Sequence, residues 1–273
     1  MHPILLDFGW HEIPLLGRTH LFLPSYGVLF AAGVLIAWWW FLRRARALGI
    51  NEEKVFNLGF YGLLGGIVGA KATLIAVEWR TYAEHPWEIL GSVRSAGVLM
   101  GGVLAGSAAF ALYARRNQLP LFRLADAAAA PLALAQSIGR GGCFSAGCCY
   151  GVPGKLLAVT FTDPMAAAQT GVPLHVPLVP TQLIQMANDL LLALVLTILW
   201  RRRRGPEGSV FWWYVLLYSI TRGTIELWRG DALRGLFFHA HVSTSQLIAG
   251  ATAVLGAAML VRGRTAQRSA RES

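Results

Sequence analysis

Four polar side chains interrupt an otherwise apolar stretch of the chain near residue 220, and their spacing could support chemistry. Tyr218, Arg222, Glu226 and Arg229 follow one another at intervals of four, four and three residues. On a helix that advances about 100° per residue, these intervals place all four on one stripe. A planar guanidinium can bind phosphate through two parallel hydrogen bonds, so the stripe predicts a site for an anionic headgroup. The alternative is a structural Arg222–Glu226 pair that joins two helices.

A second polar segment, SIGRGGCFSAGCCYG at residues 137–151, contains Arg140 among glycines. Glycine allows the backbone to leave helical geometry and to present N–H groups to an anion. Arg140 lies at the end of an apolar run. The distribution of basic residues along the chain predicts that this end faces outward. Together with Arg222 it indicates that two arginines converge on one phosphate near the outer leaflet.

The same segment contains all three cysteines of the chain, Cys143, Cys148 and Cys149. In an oxidising compartment, a disulfide could join Cys143 to Cys148 or Cys149. The cysteines could instead pack as small residues without chemistry, and a zinc site would need further ligands such as His175 or His239. Nothing in the sequence predicts a resident metal or another cofactor.

Composition predicts that membrane helices hold these polar groups. Hydrophobic residues make up 55% of the 273 residues and charged residues 14%, whereas a soluble domain has about 25% charged residues. A bilayer core of about 30 Å requires about twenty apolar residues in a helix. The sequence therefore predicts an all-α integral membrane protein of about seven transmembrane helices with an outward-facing polar cavity. The approximate ranges of the seven apolar runs are 22–42, 55–78, 96–114, 124–141, 182–200, 209–228 and 243–262.

The basic residues predict the orientation of these helices. They cluster after the first, third, fifth and seventh runs, which places the amino terminus outside and the carboxyl terminus in the cytoplasm. This distribution also argues against nucleic-acid binding, although the net charge is +10. No cleavable signal peptide is recognised near the start. Residues 1–265 are predicted to form a single transmembrane domain, followed by a short basic cytoplasmic tail at 266–273.

Several segments together resemble the prolipoprotein diacylglyceryl transferases, seven-helix bacterial enzymes that move a diacylglyceryl group from phosphatidylglycerol to a lipoprotein cysteine. Within residues 137–151, the matches to the family signature are Gly139, Arg140, Gly142, Phe144 and Gly151. Further matches follow in the family's order across nearly the whole chain. They are Ser25-Tyr26-Gly27, Gly101-Gly102, Pro180-Thr181-Gln182-Leu183, the group Tyr218, Arg222, Glu226, Arg229 and Asp231, and Ser245-Gln246.

The resemblance implies a location in the bacterial plasma membrane and two substrates, phosphatidylglycerol or a similar phospholipid and the signal-peptide segment of a prolipoprotein. The catalytic residues that it implies are Arg140, Arg222, Tyr26, Tyr218 and Glu226. The substrate-binding residues that it implies are Arg140, Arg222, Arg229, Gly101, Gly102 and Gln182.

The chain also departs from the family's pattern. Met100 stands where the family has a histidine, Cys143 and Ala146 replace two asparagines, and Cys148 replaces a glutamate. Lys71 stands where an arginine is usual. One alternative function is therefore a catalytically impaired homologue that binds or carries a phospholipid or another anion. A membrane thiol oxidoreductase that uses the cysteines is another.

Because of these replacements, several groups remain candidates for the base that would deprotonate an acceptor thiol. The candidates are Glu226, if it is not fully paired with arginine, Tyr26 as a hydrogen-bonding group, and His239 or His241 before the last helix. Each histidine also suits a purely interfacial position.

Overall fold

A computed structural model describes residues 2–13, 17–91, 97–155, 157–202, 205–231, 236–237 and 242–272 of the protein. Helices account for most of these residues, together with three short two-stranded sheets. In chain order, the elements are β1 (Ile4–Ile13), β2 (Gly17–Pro24), α1 (Ser25–Arg46), α2 (Glu52–Val77), α3 (Trp79–Glu84), α4 (Glu88–Gly91), α5 (Leu99–Arg116), α6 (Leu121–Ala146), β3 (Val159–Thr160), α7 (Pro164–Thr170), β4 (Pro177–Leu178), α8 (Thr181–Arg202), α9 (Ser209–Ile225), a 3-10 turn (Glu226–Trp228), β5 (Leu236–Phe237), β6 (Val242–Ser243) and α10 (Thr244–Glu272).

The described residues are mostly helical, as the composition predicts for an all-α membrane protein. Within the described residues, α1, α2, α8 and the Thr244–Gln267 part of α10 are long and apolar enough to cross a membrane. The other three apolar runs fall on α5, α6 and α9, and α9 ends at Ile225 after 17 residues. Helix α10 continues beyond the predicted boundary at residue 265 to Glu272.

An antiparallel hairpin of β1 and β2 precedes α1, and the sequence analysis did not predict it. A search for apolar runs of membrane length does not detect strands of ten and eight residues. The hairpin is tied to the start of α1, because the Ser25 amide donates to the Pro3 carbonyl at 2.9 Å. On the hairpin itself, His20 contacts Asp7 at 2.9 Å.

The chain divides into two compact units, of which the smaller comprises Phe41–Leu124. Within it, α2 and α5 pack along glycines. A Cβ atom at Gly69 would lie 2.2 Å from the Cβ of Ala105, and one at Gly101 would lie 1.9 Å from Oγ1 of Thr73. The backbones can approach this closely only because both positions lack a side chain, as is common between membrane helices. Close packing of the two helices therefore accounts for these glycines.

The larger unit comprises Met1–Trp40 and Ala125–Ser273. Its main core is formed by the small residues Ala129, Ala130 and Ala133 of α6, which pack against α8 and α9. Asp126 joins α6 to the start of α9, where it accepts hydrogen bonds of 2.8 Å from the amides of Gly208 and Phe211. A carboxylate at a helix amino terminus offsets the positive end of the helix dipole. Asp126, which interrupts the fourth apolar run, therefore has a structural role.

Helix α6 differs from its prediction at both ends. It begins at Leu121, a few residues before the predicted start, and contains Pro131 within it. It also continues through the glycines of residues 139–142 to Ala146, where we expected the backbone to leave helical geometry. The departure comes instead at Gly147 and Cys149, with φ angles of 81° and 61°.

Candidate functional site

Three arginines of the larger unit line one small cleft. Arg140 comes from the carboxyl-terminal part of α6, Arg222 from the end of α9, and Arg229 directly follows the 3-10 turn. The structure thus brings together the two guanidiniums whose convergence the sequence predicts, along with that of Arg229, which the resemblance names as substrate-binding. The remaining residues that line the cleft are Cys149, Thr181, Gln182, Gln185 and Ile225.

Glu226 binds two of these arginines. Its side chain is 1% exposed, and its Oε2 accepts from Nη1 of Arg222 at 2.5 Å and from Nη1 of Arg229 at 3.4 Å. Arg229 also forms a two-point ion pair with Asp231, and Arg222 donates to Oγ of Ser245 at 3.5 Å. These bonds fix the direction of both guanidiniums. Glu226 therefore holds both arginines in place through Oε2, and its role as a base stays a prediction.

The stripe of polar residues does not follow a single helix to its end. Helix α9 stops at Ile225, Glu226–Trp228 form a 3-10 turn, and the backbone at Arg229 is extended. A 3-10 turn advances faster around the axis than an α-helix does. Arg229 is nevertheless directed into the cleft, because the Gly230 amide donates to the Tyr150 carbonyl at 3.0 Å and anchors this segment.

Asp189 is a residue of this site that the sequence analysis missed. It is fully buried in α8, accepts from Nε2 of Gln185 at 2.6 Å, and interacts electrostatically with Arg140 and Arg222. It is the only charged residue in the apolar run 182–200. Ionisable residues within membrane helices generally face a polar site, so this position carried a detectable signal.

The balance of charge in the cleft is closer to neutral than we expected. The predicted stripe alone contains two arginines and one glutamate, but Asp231 pairs with Arg229, and Asp189 interacts electrostatically with Arg140 and Arg222. Arg140 differs from the other two arginines, because it forms no ion pair with a carboxylate in the described part of the chain. Its guanidinium can therefore meet an anionic ligand without the loss of an existing ion pair.

The two tyrosines named from the sequence also lie in the larger unit. Tyr26 packs on Gly142, where an added Cβ would lie 3.1 Å from its ring, and it interacts electrostatically with Arg140 and Cys143. The close approach of α1 to α6 explains the glycine at this position. Tyr218 interacts electrostatically with Arg140 and stacks on Tyr214 with ring centroids 5.7 Å apart.

The start of α8 holds the cysteine segment through two side chains. Oγ1 of Thr181 donates to the Cys149 carbonyl at 2.7 Å, and Nε2 of Gln182 donates to the Cys148 carbonyl at 2.8 Å. The Oε1 atom of Gln182 is buried and has no hydrogen-bond partner among the described residues. Because Gln182 lines the cleft, this oxygen can accept a hydrogen bond from a ligand hydroxyl.

The sulfur atoms of Cys143, Cys148 and Cys149 lie within 4.8 Å of one another, and all three cysteines are free and half-buried. Hydrogen bonds from the two neighbouring thiols lower the pKa of Cys149 more than burial raises it, and the nearby arginines lower it further. The same hydrogen bonds raise the pKa of Cys148. In the described part of the chain, His175 is not a member of this cluster.

The remaining sequence-based assignments lie elsewhere. Gly101 and Gly102 belong to α5 in the smaller unit, where they pack on α2, so their role in substrate binding stays a prediction. Met100 lies on the same helix. His239 and His241 lie outside the described residues.

Comparisons with known proteins agree with the motifs. Residues 16–262 match the family model described as prolipoprotein diacylglyceryl transferase. Relatives named phosphatidylglycerol–prolipoprotein diacylglyceryl transferase include a Clostridium tetani protein, 36% identical over 234 residues that cover 85% of this chain and 90% of the relative. A Clostridium perfringens protein named phosphatidylglycerol–prolipoprotein diacylglyceryl transferase 2 is 34% identical over 82% of this chain and 84% of the relative. A relative of the same name as the first, from Synechococcus elongatus, is 35% identical over 76% of this chain and 73% of the relative. This chain belongs to the prolipoprotein diacylglyceryl transferase family.

Proposed function

We propose that this protein transfers a diacylglyceryl group from phosphatidylglycerol, or a similar phospholipid, to the thiol of a lipoprotein cysteine. The observation that carries the proposal is the cleft in which Arg140, Arg222 and Arg229 meet. A cluster of guanidiniums among apolar helices suits a phosphodiester, since each can donate several hydrogen bonds to its oxygens. Family membership and the names of the relatives support the same reaction.

Arg140 and Arg222 hold the phosphodiester in this account. Arg140 has no ion pair with a described carboxylate, so binding the lipid phosphate does not require an existing pair to break. Arg222 is oriented by Glu226 and Ser245. Arg229 adds positive charge beside them, and Oε1 of Gln182 accepts a hydrogen bond from a hydroxyl of the lipid headgroup.

The reaction is a displacement at carbon. The acceptor thiol loses its proton to solvent, and its sulfur forms a bond to the glycerol carbon that carries the phosphodiester. The bond between that carbon and the phosphate oxygen breaks, its electron pair stays on the oxygen, and glycerol phosphate leaves. The negative charge on the departing phosphate increases in the transition state, where fixed guanidiniums contribute most to the rate. Tyr26 and Tyr218 flank Arg140 and donate hydrogen bonds to the same oxygens.

The proposal places the protein in the bacterial plasma membrane with seven transmembrane helices, its amino terminus outside and its carboxyl terminus in the cytoplasm. All seven apolar runs fall on helices, and the basic clusters alternate along the chain as one-sided loops would. The cleft then opens outward, where the signal-peptide segment of a prolipoprotein arrives. Gly101 and Gly102 contribute to substrate binding from α5.

A transfer assay with purified components tests the proposal. Pure protein in detergent is incubated with phosphatidylglycerol labelled in its acyl chains and with a lipobox peptide that contains one cysteine. We expect a labelled thioether peptide, and none with a peptide that carries serine instead of cysteine. A family enzyme of known activity serves as the positive control.

The same assay separates transfer from binding alone. Labelled lipid that binds to the wild-type protein and is lost in Arg222→Ala, without any labelled peptide, would favour the impaired phospholipid binder instead.

A further inference from the structure

The three cysteines present a set of metal ligands that the proposed reaction does not yet use. In tetrahedral zinc sites with Zn–S bonds of about 2.3 Å, neighbouring sulfurs are about 3.8 Å apart. The sulfurs of Cys143, Cys148 and Cys149 lie within 4.8 Å of one another, so a closure of about 1 Å or less would bring them to this geometry. A disulfide would use two of these sulfurs and leave the third, whereas a metal ion engages all three.

The backbone holds this cluster in a defined position. Cys149 adopts a left-handed conformation with φ of 61°, which is uncommon for a residue with a side chain. The carbonyls of Cys148 and Cys149 are bound by Gln182 and Thr181 at the buried start of α8. The turn that carries two of the three sulfurs is therefore fixed to a membrane helix.

The cluster adjoins the arginine cleft, because Cys149 lines that cleft together with Arg140 and Arg229. A divalent ion bound by three thiolates has a net charge of −1, and a fourth thiolate would bring it to −2. Arg140 and Arg229 both interact electrostatically with Cys149 and can offset this charge. The site therefore suits an anionic metal–thiolate centre.

The position of a fourth ligand connects the cluster to the reaction. All three cysteines are only half-buried, so a further ligand can approach. Structural zinc sites are closed by four protein ligands, whereas sites with three protein ligands keep one position for water or substrate. Within the described residues, no histidine or carboxylate completes the cluster. The acceptor of the proposed transfer is itself a thiol and is a suitable fourth ligand.

We propose that Cys143, Cys148 and Cys149 bind one zinc ion as thiolates and that this ion binds the acceptor cysteine as its fourth ligand. The inference rests on the proposed function. The acceptor releases its thiol proton to solvent when it binds. Its sulfur then forms the bond to the glycerol carbon, the carbon–oxygen bond to the phosphate breaks with its electron pair on oxygen, and the neutral thioether leaves the zinc. No oxidant or reductant is needed.

A free thiol with a pKa of about 8.5 is only about 3% ionised at pH 7, whereas coordination to a metal deprotonates it. Removal of the zinc is therefore expected to lower transfer about 30-fold at pH 7. Met100, at the position where the family has a histidine, cannot serve as a base, and metal coordination would ionise the acceptor thiol without one.

The test begins with metal content. The full chain is purified in detergent without chelator or oxidant, and zinc is measured by inductively coupled plasma mass spectrometry. We expect about one zinc ion per wild-type chain and a loss of it in Cys143→Ser and Cys149→Ser. Ala146→Ser is the matched control, because it adds a hydroxyl to the same segment and keeps all three thiols.

Cobalt substitution then reports on the fourth ligand independently of activity. Sulfur-to-cobalt charge-transfer absorption should appear in the wild type and increase when the cysteine lipobox peptide is added, but not with the serine peptide.

A disulfide among the three cysteines, or no bound zinc after dialysis against zinc, would overturn the inference. Unchanged lipid transfer after zinc is removed from the wild-type protein would also overturn it and would leave the proposed function intact. Zinc binding with the expected cobalt response but no lipid transfer would instead contradict the proposed function.

Discussion

At the scale of residues, the site depends on what a buried carboxylate does to the arginines around it. Glu226 accepts hydrogen bonds from Arg222 and Arg229, and its side chain is 1% exposed. Burial keeps both guanidiniums in a fixed direction, because water has little access to replace either hydrogen bond. Arg140 has no such partner among the described residues. Glu226 thus positions two of the arginines, whereas the third meets the ligand without a carboxylate partner.

Replacement of arginine by lysine at this site tests the role of the planar guanidinium. Arg140→Lys and Arg222→Lys keep the positive charge but cannot bind phosphate through two parallel bonds. We expect each to lower kcat/KM for lipid transfer by about 10- to 100-fold, which corresponds to the loss of a charged hydrogen bond of about 1.5–3 kcal/mol.

The transfer assay with labelled phosphatidylglycerol measures this effect. Arg201→Lys at the exposed end of α8 is the control and should leave kcat/KM unchanged. Full activity in both site variants would show that a positive charge alone is enough.

The replacement of Glu226 by glutamine distinguishes a positioning residue from a base. Glu226→Gln removes the charge that holds two guanidiniums, and the loss of one partner of a buried ion pair costs about 3–5 kcal/mol. We expect a lower Tm in detergent and a higher KM for the lipid, with the pH profile of kcat unchanged in shape. Loss of the acidic limb of that profile in Glu226→Gln would instead identify Glu226 as the base.

The sequence motifs predicted part of this site. Arg140, Arg222 and Gln182 were named from their motifs, and the structure brings them to one cleft. Asp189 was missed because the run around it was read only for its apolar length. For the cysteines, spacing alone left a disulfide, plain packing and a zinc site open, since the arrangement of the sulfurs depends on a turn at Gly147 and Cys149.

At the scale of elements, apolar length predicted the helices better than it predicted their ends. The runs at 182–200 and 209–228 correspond to α8 and α9, but α9 gives way to a 3-10 turn at Glu226. The glycines at 139–142 were expected to break α6, and they remain helical. Gly142 serves close packing against Tyr26 instead. Whether a glycine marks a turn or a close contact depends on a partner that is distant in sequence.

The contact between α2 and α5 gives a prediction at this scale. In Gly69→Ala the new Cβ would lie 2.2 Å from the Cβ of Ala105, so the helices must separate. Overpacking of this kind typically costs about 1–3 kcal/mol, and we expect a lower Tm in a thermal unfolding assay in detergent.

Gly250→Ala on α10 is the matched control. Its added Cβ meets nothing within 4 Å, and alanine favours a helix over glycine, so the Tm should not fall. Equal destabilisation by both substitutions would show that the contact between α2 and α5 is not as tight as described.

At the scale of the whole molecule, the account requires a particular membrane orientation. The basic clusters predict a cytoplasmic carboxyl terminus and an outward cleft. Fusion of alkaline phosphatase to the carboxyl terminus should therefore give an inactive reporter, and fusion of green fluorescent protein there should give a fluorescent one. An active phosphatase at this end would reverse the orientation and would place the arginine cleft on the wrong side for prolipoproteins.

The central claim is that guanidiniums gathered in one cleft support lipid transfer to a prolipoprotein. Complementation of a bacterial strain depleted of its own transferase tests it most directly, with diacylglyceryl modification of a reporter lipoprotein as the readout. The account predicts that the wild-type chain restores growth and lipid modification, whereas Arg140→Ala and Arg222→Ala, expressed at equal levels, do not. Restoration by either arginine variant to the wild-type level would contradict the account.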